Sequence, residues 1–331
     1  MVVTEQEAED LFETLAPRVQ IPSLSPAYVE IDAVRDEKIE LFHWVYREGS
    51  SVYMLGIHRM EIPGTGYFDL QTPYQYGGPV VRDADPEFLA RAWQEYTKWC
   101  QDCKVVVELM RFHPMLQNGS SYHGCVSYNR QAVYIDLKQN DLMSTYGPRV
   151  RGKIRKALLN DLSVEWHTGV EHVSLFMELY YAAMLDRNAT PFYFFPKAYF
   201  ERLLTWDKAK LAICRWQGQA IGASIILIGP EISEYHLSCT NADGKRLAAT
   251  NLILHEAARY SQQMNCSAFY LGGGKETSPD DSLLLFKAGF SSKRADFNIG
   301  SWVHDEKSYL ELQAGFSGEY RQNQGRVLFY R

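Results

Sequence analysis

The sequence predicts a mixed α/β (α+β) fold organised as two similar halves. The chain has 331 residues, of which 46% are hydrophobic and 22% charged; this is enough apolar material for one large domain or two ordinary ones. Segments with strand-like alternation and segments with helical periodicity also recur in a similar order along both halves. We predict a boundary after Gly147, with a first domain at 1–147 and a second at 148–331.

The first half predicts the order β-β-loop-α-β-β. An acidic, amphipathic segment at 1–19 comes first and is typical of an N-terminal helix. The Gly- and Pro-rich stretch EIPGTGYFDLQTPYQYGGPVV predicts a loop at 61–81. The predicted elements are strands at 39–46 and 52–58, a helix at 86–99, and strands at 105–110 and 132–137.

The second half repeats this plan with more helices. Pro148 is well placed near a helix start. An antiparallel meander, a long helix, another strand and a return are expected. The predicted elements are helices at 149–159, 170–185, 197–204, 247–264 and 282–288, and strands at 163–167, 210–216, 220–228, 232–238, 267–271 and 295–299.

Charge and cysteine content narrow the function classes. The net charge of −6 at pH 7 argues against a broad nucleic-acid surface, so any such contact should be local. Cys100 and Cys103 form a C-x-x-C pair, but no second pair stands at zinc-site spacing. We interpret them as ordinary buried thiols and expect no metal. Reduced cysteines and the absence of a signal-peptide pattern favour the cytoplasm.

The segment YLGGGKETSPDDSLLLFKAGF holds the candidate catalytic residues. Gly272, Gly273 and Gly274 directly follow a strand-like run, where side-chain-free backbone either approaches a ligand or lets another element cross. Lys287 lies among leucines and phenylalanines. Its ammonium group either reaches out to water or stays over a cleft, where it would stabilise a developing oxyanion or bind phosphate.

Two further segments are candidates for binding phosphate groups of a donor. Arg149, Arg151, Lys153 and Arg155 lie within PRVRGKIRKA, which contains no acid; a solvated helix face is the alternative. Arg246 and Asn251 lie in a segment that faintly resembles R-x-x-G-x-G/A, the coenzyme A loop of acyl-CoA acetyltransferases, although Ala249 replaces its first glycine.

Four side chains are candidates for the base that takes a proton from an attacking amine, namely Asp280, Asp281, His236 and Tyr235. For Asp280 and Asp281 the alternative is capping of the helix that carries Lys287. His236 is equally explained as a core histidine. Cys239 has no base at a recognisable spacing, so we reject a covalent acyl intermediate.

Taken together, the segments resemble the Fem family of non-ribosomal peptidyl transferases and related GNAT-like acyltransferases. The resemblance extends over about 39–308, most of the chain. The segments that carry it are TPYQYGGPVV, VYIDL, RGKIRKA, MLDRNATPFYFF, YHLSCTN, AATNLIL, LGGG and DDSLLLFKAGF. No long coiled-coil arm of the kind found in some cell-wall members is present.

The resemblance implies two tandem GNAT-like domains that face each other across a cleft. It also implies roles for the pair Phe286 and Lys287: the lysine reaches the donor and stabilises the tetrahedral intermediate, while the carbonyl of the preceding residue orients the amine. Gly272, Gly273, Gly274, Tyr235, His236 and Tyr76 are the expected substrate-binding residues.

We therefore predict an N-acyltransferase or aminoacyltransferase that forms an amide bond. Its expected donor is aminoacyl-tRNA, and its acceptor is an amine of a peptidoglycan precursor, an amino sugar or a small natural product. No tightly bound cofactor and a monomer are expected. An acyl-CoA-dependent N-acyltransferase of polysaccharide biosynthesis and a non-catalytic domain that binds a nucleotide sugar or a partner are the alternatives.

Overall fold

The computed structural model describes residues 1–315 and 326–331. Its strands are β1 (Val2–Val3), β2 (Glu40–Glu48), β3 (Ser51–Glu61), β4 (Phe68–Gln71), β5 (Val80–Arg82), β6 (Val105–Arg111), β7 (Cys125–Asp136), β8 (Ser163–His167), β9 (Ala209–Trp216), β10 (Gln219–Ile228), β11 (Ile232–Thr240), β12 (Ala268–Gly273) and β13 (Arg294–Val303). Its helices are α1 (Glu5–Glu13), α2 (Pro26–Ala33), α3 (Pro86–Asp102), α4 (Leu142–Thr145), α5 (Pro148–Leu159), α6 (Val173–Asp186), α7 (Lys197–Thr205), α8 (Ala242–Leu247), α9 (Ala249–Gln263), α10 (Ser282–Ala288) and α11 (Glu306–Gly315).

The chain packs as two compact units that do not follow the predicted boundary. Unit 1 consists of Met1–Asn129 and Asp296–Arg331, and unit 2 of Arg130–Ala295. Strand pairing explains this division. From Ala132 onward β7 pairs with β12 of the second half of the chain, whereas β13 pairs with β6 of the first half. The predicted division after Gly147 is contiguous in sequence, so it does not capture this exchange of strands.

Unit 1 is a mixed sheet with helices. Its strand order is β1-β2-β3-β4-β6-β13, with β5 beside β3. The meander β2-β3-β4 is antiparallel, and β4 and β6 then run parallel. A parallel pair needs a crossover connection, which α3 provides. Alternation of side chains along β2 and β3 places large apolar residues, such as Trp44, Tyr53 and Leu55, in one core with Tyr96 of α3.

Unit 2 repeats the same plan with the strand order β7-β12-β11-β10-β9-β8. The meander β9-β10-β11 is antiparallel, α9 provides the crossover, and β12 runs parallel to β11. The parallel pairing covers three residues, from Ile232 opposite Ala268 to Glu234 opposite Tyr270. Beyond it the described residues of the two strands make no further pairs, so β11 and β12 open where the glycines begin.

Two predicted elements need correction. The stretch predicted as a loop at 61–81 contains β4 and the start of β5; both are only three or four residues long, too short for alternation to be recognised. The helix predicted at 247–264 is α9, which begins only at Ala249, because Ala248 has a left-handed backbone with φ of 65° and separates it from the unpredicted short helix α8.

A buried hydrogen-bonded network lies inside the core of unit 1. Both carboxylate oxygens of Glu108, which has no exposed surface, accept hydrogen bonds from tyrosine hydroxyls: Tyr122 at 2.5 Å and Tyr96 at 2.7 Å. The Nε2 atom of His304 lies 3.1 Å from the same carboxylate. The network supplies hydrogen bonds to a polar side chain whose burial would otherwise be unfavourable. None of the helices that the structure describes is long and apolar enough to cross a bilayer.

Candidate active site

Lys287 is buried at the end of the short helix α10. A loop connects the end of β12 to this helix. Only 7% of the surface of Lys287 is exposed. The Nζ atom donates a hydrogen bond of 2.8 Å to the carbonyl oxygen of Gly273 and lies 6.0 Å from the ring centroid of Tyr235. The alternative in which this lysine extends into water is therefore wrong. Its amine stays beside the opening between β11 and β12.

Burial lowers the pKa of Lys287 to about 7, an effect that the nearby carboxylate of Asp281 partly offsets. Among the described residues, Lys287 makes no ion pair within 4 Å. A buried lysine without an ion-pair partner is costly to a fold, and such groups concentrate at functional sites. Near neutral pH both its charged and its neutral forms are populated, so negative charge that develops beside it would favour the charged form.

Asp281 positions the helix that carries the lysine. Its carboxylate accepts hydrogen bonds from the amides of Leu284 at 2.8 Å, Lys275 at 3.1 Å and Glu276 at 3.2 Å. These bonds, with that of Leu284 first, lower the pKa of Asp281. The residue is thus the N-cap of α10 and ties the preceding loop to the helix start. Asp280 is exposed and makes no such cap.

The three glycines are required for different reasons. Gly272 has a φ of 84° at the point where β12 shifts register against β7. A Cβ atom on Gly273 would come within 2.9 Å of the Gln131 carbonyl oxygen, and one on Gly274 would collide with the Asp281 carboxylate. Towards Lys287, Gly273 presents its carbonyl oxygen. A role of the glycine amides as oxyanion donors stays a prediction.

The neighbours Tyr235 and His236 of β11 have different surroundings at a point where the register of β11 against β10 shifts. Tyr235 lies beside Lys287, and burial raises the pKa of its hydroxyl group. His236 is buried, with its Nε2 atom 2.8 Å from the hydroxyl oxygen of Tyr199 on α7. This contact favours the interpretation of His236 as a core histidine.

The other predicted residues divide between the units. Phe286 is half-buried and packs against Phe290, with ring centroids 5.7 Å apart. Tyr76 belongs to unit 1, where its ring meets those of His113 at 4.9 Å and Phe297 at 5.6 Å. Lys287, Phe286, Tyr235 and the glycines therefore come together within unit 2.

The resemblance to a coenzyme A loop is not matched by an open phosphate cradle. Ala248, Ala249 and Asn251 at the start of α9 are buried, and the Asn251 amide donates to the carbonyl oxygen of Ala248 at 3.1 Å. Arg246 pairs with Asp243 at 2.7 Å. Because pyrophosphate binding at a helix start requires accessible amide groups, this turn is poorly suited to it.

Two arginines near the site were missed by the sequence interpretation. Arg130 of β7 donates a hydrogen bond of 2.9 Å to the carbonyl oxygen of Gly274, 144 residues away in the chain. No local pattern announces such a contact. Arg187, at the end of α6, is close enough to Tyr235 to act on its pKa. Its position in MLDRNATPFYFF, a segment that carries the family resemblance, was the available signal.

One cluster has metal-ligand chemistry. The ligand atoms of Cys100, Glu108 and His304 lie within 4.8 Å of one another and are all buried. Both oxygens of Glu108 already accept hydrogen bonds, and burial raises the pKa of the Cys100 thiol well above its usual value. Because hydrogen bonds from Tyr96 and Tyr122 occupy the oxygens of Glu108, the arrangement fits a hydrogen-bonded core better than a metal site.

Comparisons with known proteins agree with this geometry. A family model described as an acetyltransferase (GNAT) domain matches residues 148–278. The chain is 24% identical over 274 residues to the UDP-N-acetylmuramoylpentapeptide-lysine N(6)-alanyltransferase of Weissella viridescens, covering 74% of this chain and 79% of that protein. The resemblance to the Fem family is confirmed. The predicted class, an acyl- or aminoacyltransferase, is confirmed by the same matches.

Solved structures confirm the Fem-like fold over nearly the whole chain. The crystal structure of FemX superposes with a TM-score of 0.72 at 13% identity and covers 95% of this chain and 99% of FemX. A conserved protein of unknown function from Bacteroides thetaiotaomicron gives a TM-score of 0.63 at 11% identity, with 91% and 99% coverage. At such low identity these likenesses speak for the fold alone, here a mixed α/β fold with GNAT-like halves.

Proposed function

We propose that this chain transfers an aminoacyl group from an aminoacyl-tRNA to an amine of a peptidoglycan precursor. The observation that carries the proposal is the buried Lys287 amine beside the opening between β11 and β12. The Weissella viridescens relative is named as an alanyltransferase acting on a UDP-N-acetylmuramoylpentapeptide lysine, which supports the donor and acceptor classes. A monomer and a cytoplasmic location stay predictions.

The proposed reaction is acyl transfer between an ester and an amine. The neutral amine of the acceptor attacks the ester carbonyl carbon, and a tetrahedral intermediate with a negative oxygen forms. A cationic donor placed at that oxygen lowers the barrier. Lys287 fulfils this role in its charged form, which the developing oxyanion favours. The carbonyl oxygens of Gly273 and Phe286 each accept a hydrogen bond, from Lys287 and from the Gly289 amide; the second lone pair of the Phe286 oxygen would orient an amine hydrogen.

Collapse of the intermediate breaks the bond to the ribose oxygen and forms the amide. The attacking nitrogen loses a proton, and the leaving ribose oxygen gains one. Of the four candidate bases, Asp281 is occupied as a helix cap, Asp280 is exposed, His236 lies against Tyr199, and burial raises the pKa of the Tyr235 hydroxyl. Transfer of the proton to the leaving oxygen balances the reaction without any of them.

The enclosed first turn of α9 favours this donor over coenzyme A. An acyl-CoA donor would need phosphate contacts with the amides of this turn, in which Ala248, Ala249 and Asn251 are buried residues. A domain that binds a nucleotide sugar would use the same buried amine to hold a phosphate, so an activity measurement is needed to separate this alternative from the proposal.

A donor comparison tests the proposal. The purified protein is incubated with UDP-N-acetylmuramoyl-pentapeptide and either alanyl-tRNA or acetyl-CoA, and the molecular mass of the precursor is then measured by mass spectrometry. We expect the addition of one alanyl group with alanyl-tRNA and no acetyl product. Acetylation from acetyl-CoA, with no product from alanyl-tRNA, would overturn the proposal in favour of the acyl-CoA alternative. Failure with both donors would overturn it in favour of the binding domain or of an unknown donor.

A further inference from the structure

Helix α5 carries several cations at and near its N-terminal end, where positive charge is least favourable for a helix. Arg149 and Arg151 lie in its first turn, followed by Lys153 and Arg155, and the helix has no acidic residue. The N-terminal end of a helix is its positive end, which disfavours cations. The i,i+4 pairs Arg149 with Lys153 and Arg151 with Arg155 also repel each other. The local sequence thus works against helix stability.

Among the described residues, no carboxylate lies within ion-pair distance, 4 Å, of these four cations. Arg151 donates a hydrogen bond to the carbonyl oxygen of Tyr146, which leaves its charge without an anionic partner. Other cations of unit 2 do make ion pairs: Lys245 pairs with Asp186, Arg215 with Glu165, and Arg259 with Glu256. In a chain whose net charge is −6, four cations left without carboxylate partners on one helix indicate an anionic ligand.

Gly152 lies between these cations and is not required by the fold. Its φ is not positive, and a Cβ atom built on it would meet nothing within 4 Å. Glycine in the middle of a helix costs about 1 kcal/mol relative to alanine. One use of a glycine at such a position is to let a ligand approach the helix backbone closely.

Helix α5 begins directly beside the end of the helix that carries Lys287. The amide of Gly147 donates a hydrogen bond of 2.8 Å to the carbonyl oxygen of Gly289. The rings of Tyr146 and Phe290 have centroids 5.2 Å apart. From Arg149 to Arg155 the cations extend over about 9 Å of helix. This length is enough for the cations to contact more than one successive phosphate group of a polynucleotide.

We infer that Arg149, Arg151, Lys153 and Arg155, arranged around Gly152, bind the sugar-phosphate backbone of the donor tRNA in the stem that adjoins its acylated CCA end. We call these residues the α5 basic surface. The inference rests on the proposed function and adds the place where the RNA is held. The contacts are to phosphates, so they provide affinity without sequence selection.

The test compares two donors and two variants. The donors are intact alanyl-tRNA and an alanylated CCA trinucleotide, which retains the reacting end but lacks the stem. The test variant is Arg149→Gln with Arg155→Gln, both exposed. The matched control is Lys307→Gln, an exposed lysine in the first turn of α11 in unit 1.

For the double variant we expect KM for alanyl-tRNA to rise about tenfold or more, and the slope of log affinity against log salt to shrink by roughly two. Its kcat, and its kcat/KM for the trinucleotide, should stay unchanged. The control should match the wild type with both donors. An unchanged KM and salt slope for alanyl-tRNA would overturn the inference, as would an equal loss with the trinucleotide.

The two proposals fail in different ways. If the wild type uses neither donor, the proposed function fails and this inference falls with it. If the wild type uses both and the double variant is normal, only the α5 basic surface is refuted. Gly152→Ala gives an independent measurement: it should raise the thermal midpoint yet weaken alanyl-tRNA binding. Unchanged binding in this more stable variant would count against close approach of the RNA.

Discussion

The Nζ atom of Lys287 donates a hydrogen bond of 2.8 Å to the backbone carbonyl oxygen of Gly273. This bond joins the helix after the triple glycine to the strand before it. It holds the amine at the point where β11 and β12 part, in a residue of which only 7% is exposed. The Asp281 cap, the end of β12 and the Lys287 amine are thus connected by hydrogen bonds.

Burial of Lys287 predicts a specific pH dependence of stability. Its pKa is about 7 in the folded protein and 10.5 in a free side chain. Between these values the unfolded chain binds more protons, so the stability of the wild type should rise with pH. Lys287→Met removes this dependence. We expect the variant to be the more stable protein near pH 7.

The difference in free energy of unfolding between the wild type and Lys287→Met should then narrow by roughly 3 kcal/mol from pH 7 to pH 10. Urea denaturation of both proteins at several pH values measures it. A difference that stays constant from pH 7 to 10 would show that the lysine titrates normally, which contradicts burial of its amine.

The cap of α10 predicts different outcomes for two adjacent aspartates. Asp281→Ala leaves the amides of Leu284, Lys275 and Glu276 without their acceptor and should cost about 1–2 kcal/mol. Asp280→Ala, its matched control, should change the free energy of unfolding by no more than about 0.5 kcal/mol. Thermal or urea denaturation distinguishes them, and equal effects would refute the assignment of the cap.

Gly274→Ala tests the contact between the glycine run and this cap. The new methyl group would collide with the Asp281 carboxylate, so the cap must be displaced. We expect a loss of about 1–3 kcal/mol. In a double-mutant cycle with Asp281→Ala the two effects should be strongly non-additive, because they remove the same interaction. Simple additivity would mean that the glycine is required for another reason.

The buried carboxyl group of Glu108 should contribute strongly to the free energy of unfolding. Glu108→Ala leaves the hydroxyls of Tyr96 and Tyr122 without acceptors in the core and should cost about 3 kcal/mol or more. Glu108→Gln keeps one acceptor oxygen and should cost less. Urea denaturation of both variants shows which of them loses more free energy of unfolding. An alanine variant as stable as the glutamine variant would contradict the network.

Much of the fold could be predicted from the sequence because its signals are local. Alternation identified β2, β3 and the meander β9-β10-β11, and an aspartate before an apolar run suggested the cap that Asp281 forms. The exchange of β7 and β13 between the units could not be predicted, because strand partners are chosen by tertiary packing. The short strands β4 and β5 were hidden among glycines and prolines.

The candidate site was predictable in part for the same reason. Lys287 and the glycines stand close together in the sequence, so their neighbourhood was visible. The contact from Arg130 to Gly274 joins residues 144 positions apart, and no local pattern encodes it. Sequence alone also could not tell that Ala248 closes the start of α9, since a left-handed alanine goes against its intrinsic preference.

The most direct test is the rate of alanyl transfer from alanyl-tRNA to UDP-N-acetylmuramoyl-pentapeptide by the wild type and by Lys287→Met. Loss of one donor to the oxyanion should slow the transfer by a factor on the order of 10²–10³, in a variant that remains folded. A Lys287→Met protein that transfers alanine at the wild-type rate would contradict the central role of this buried amine.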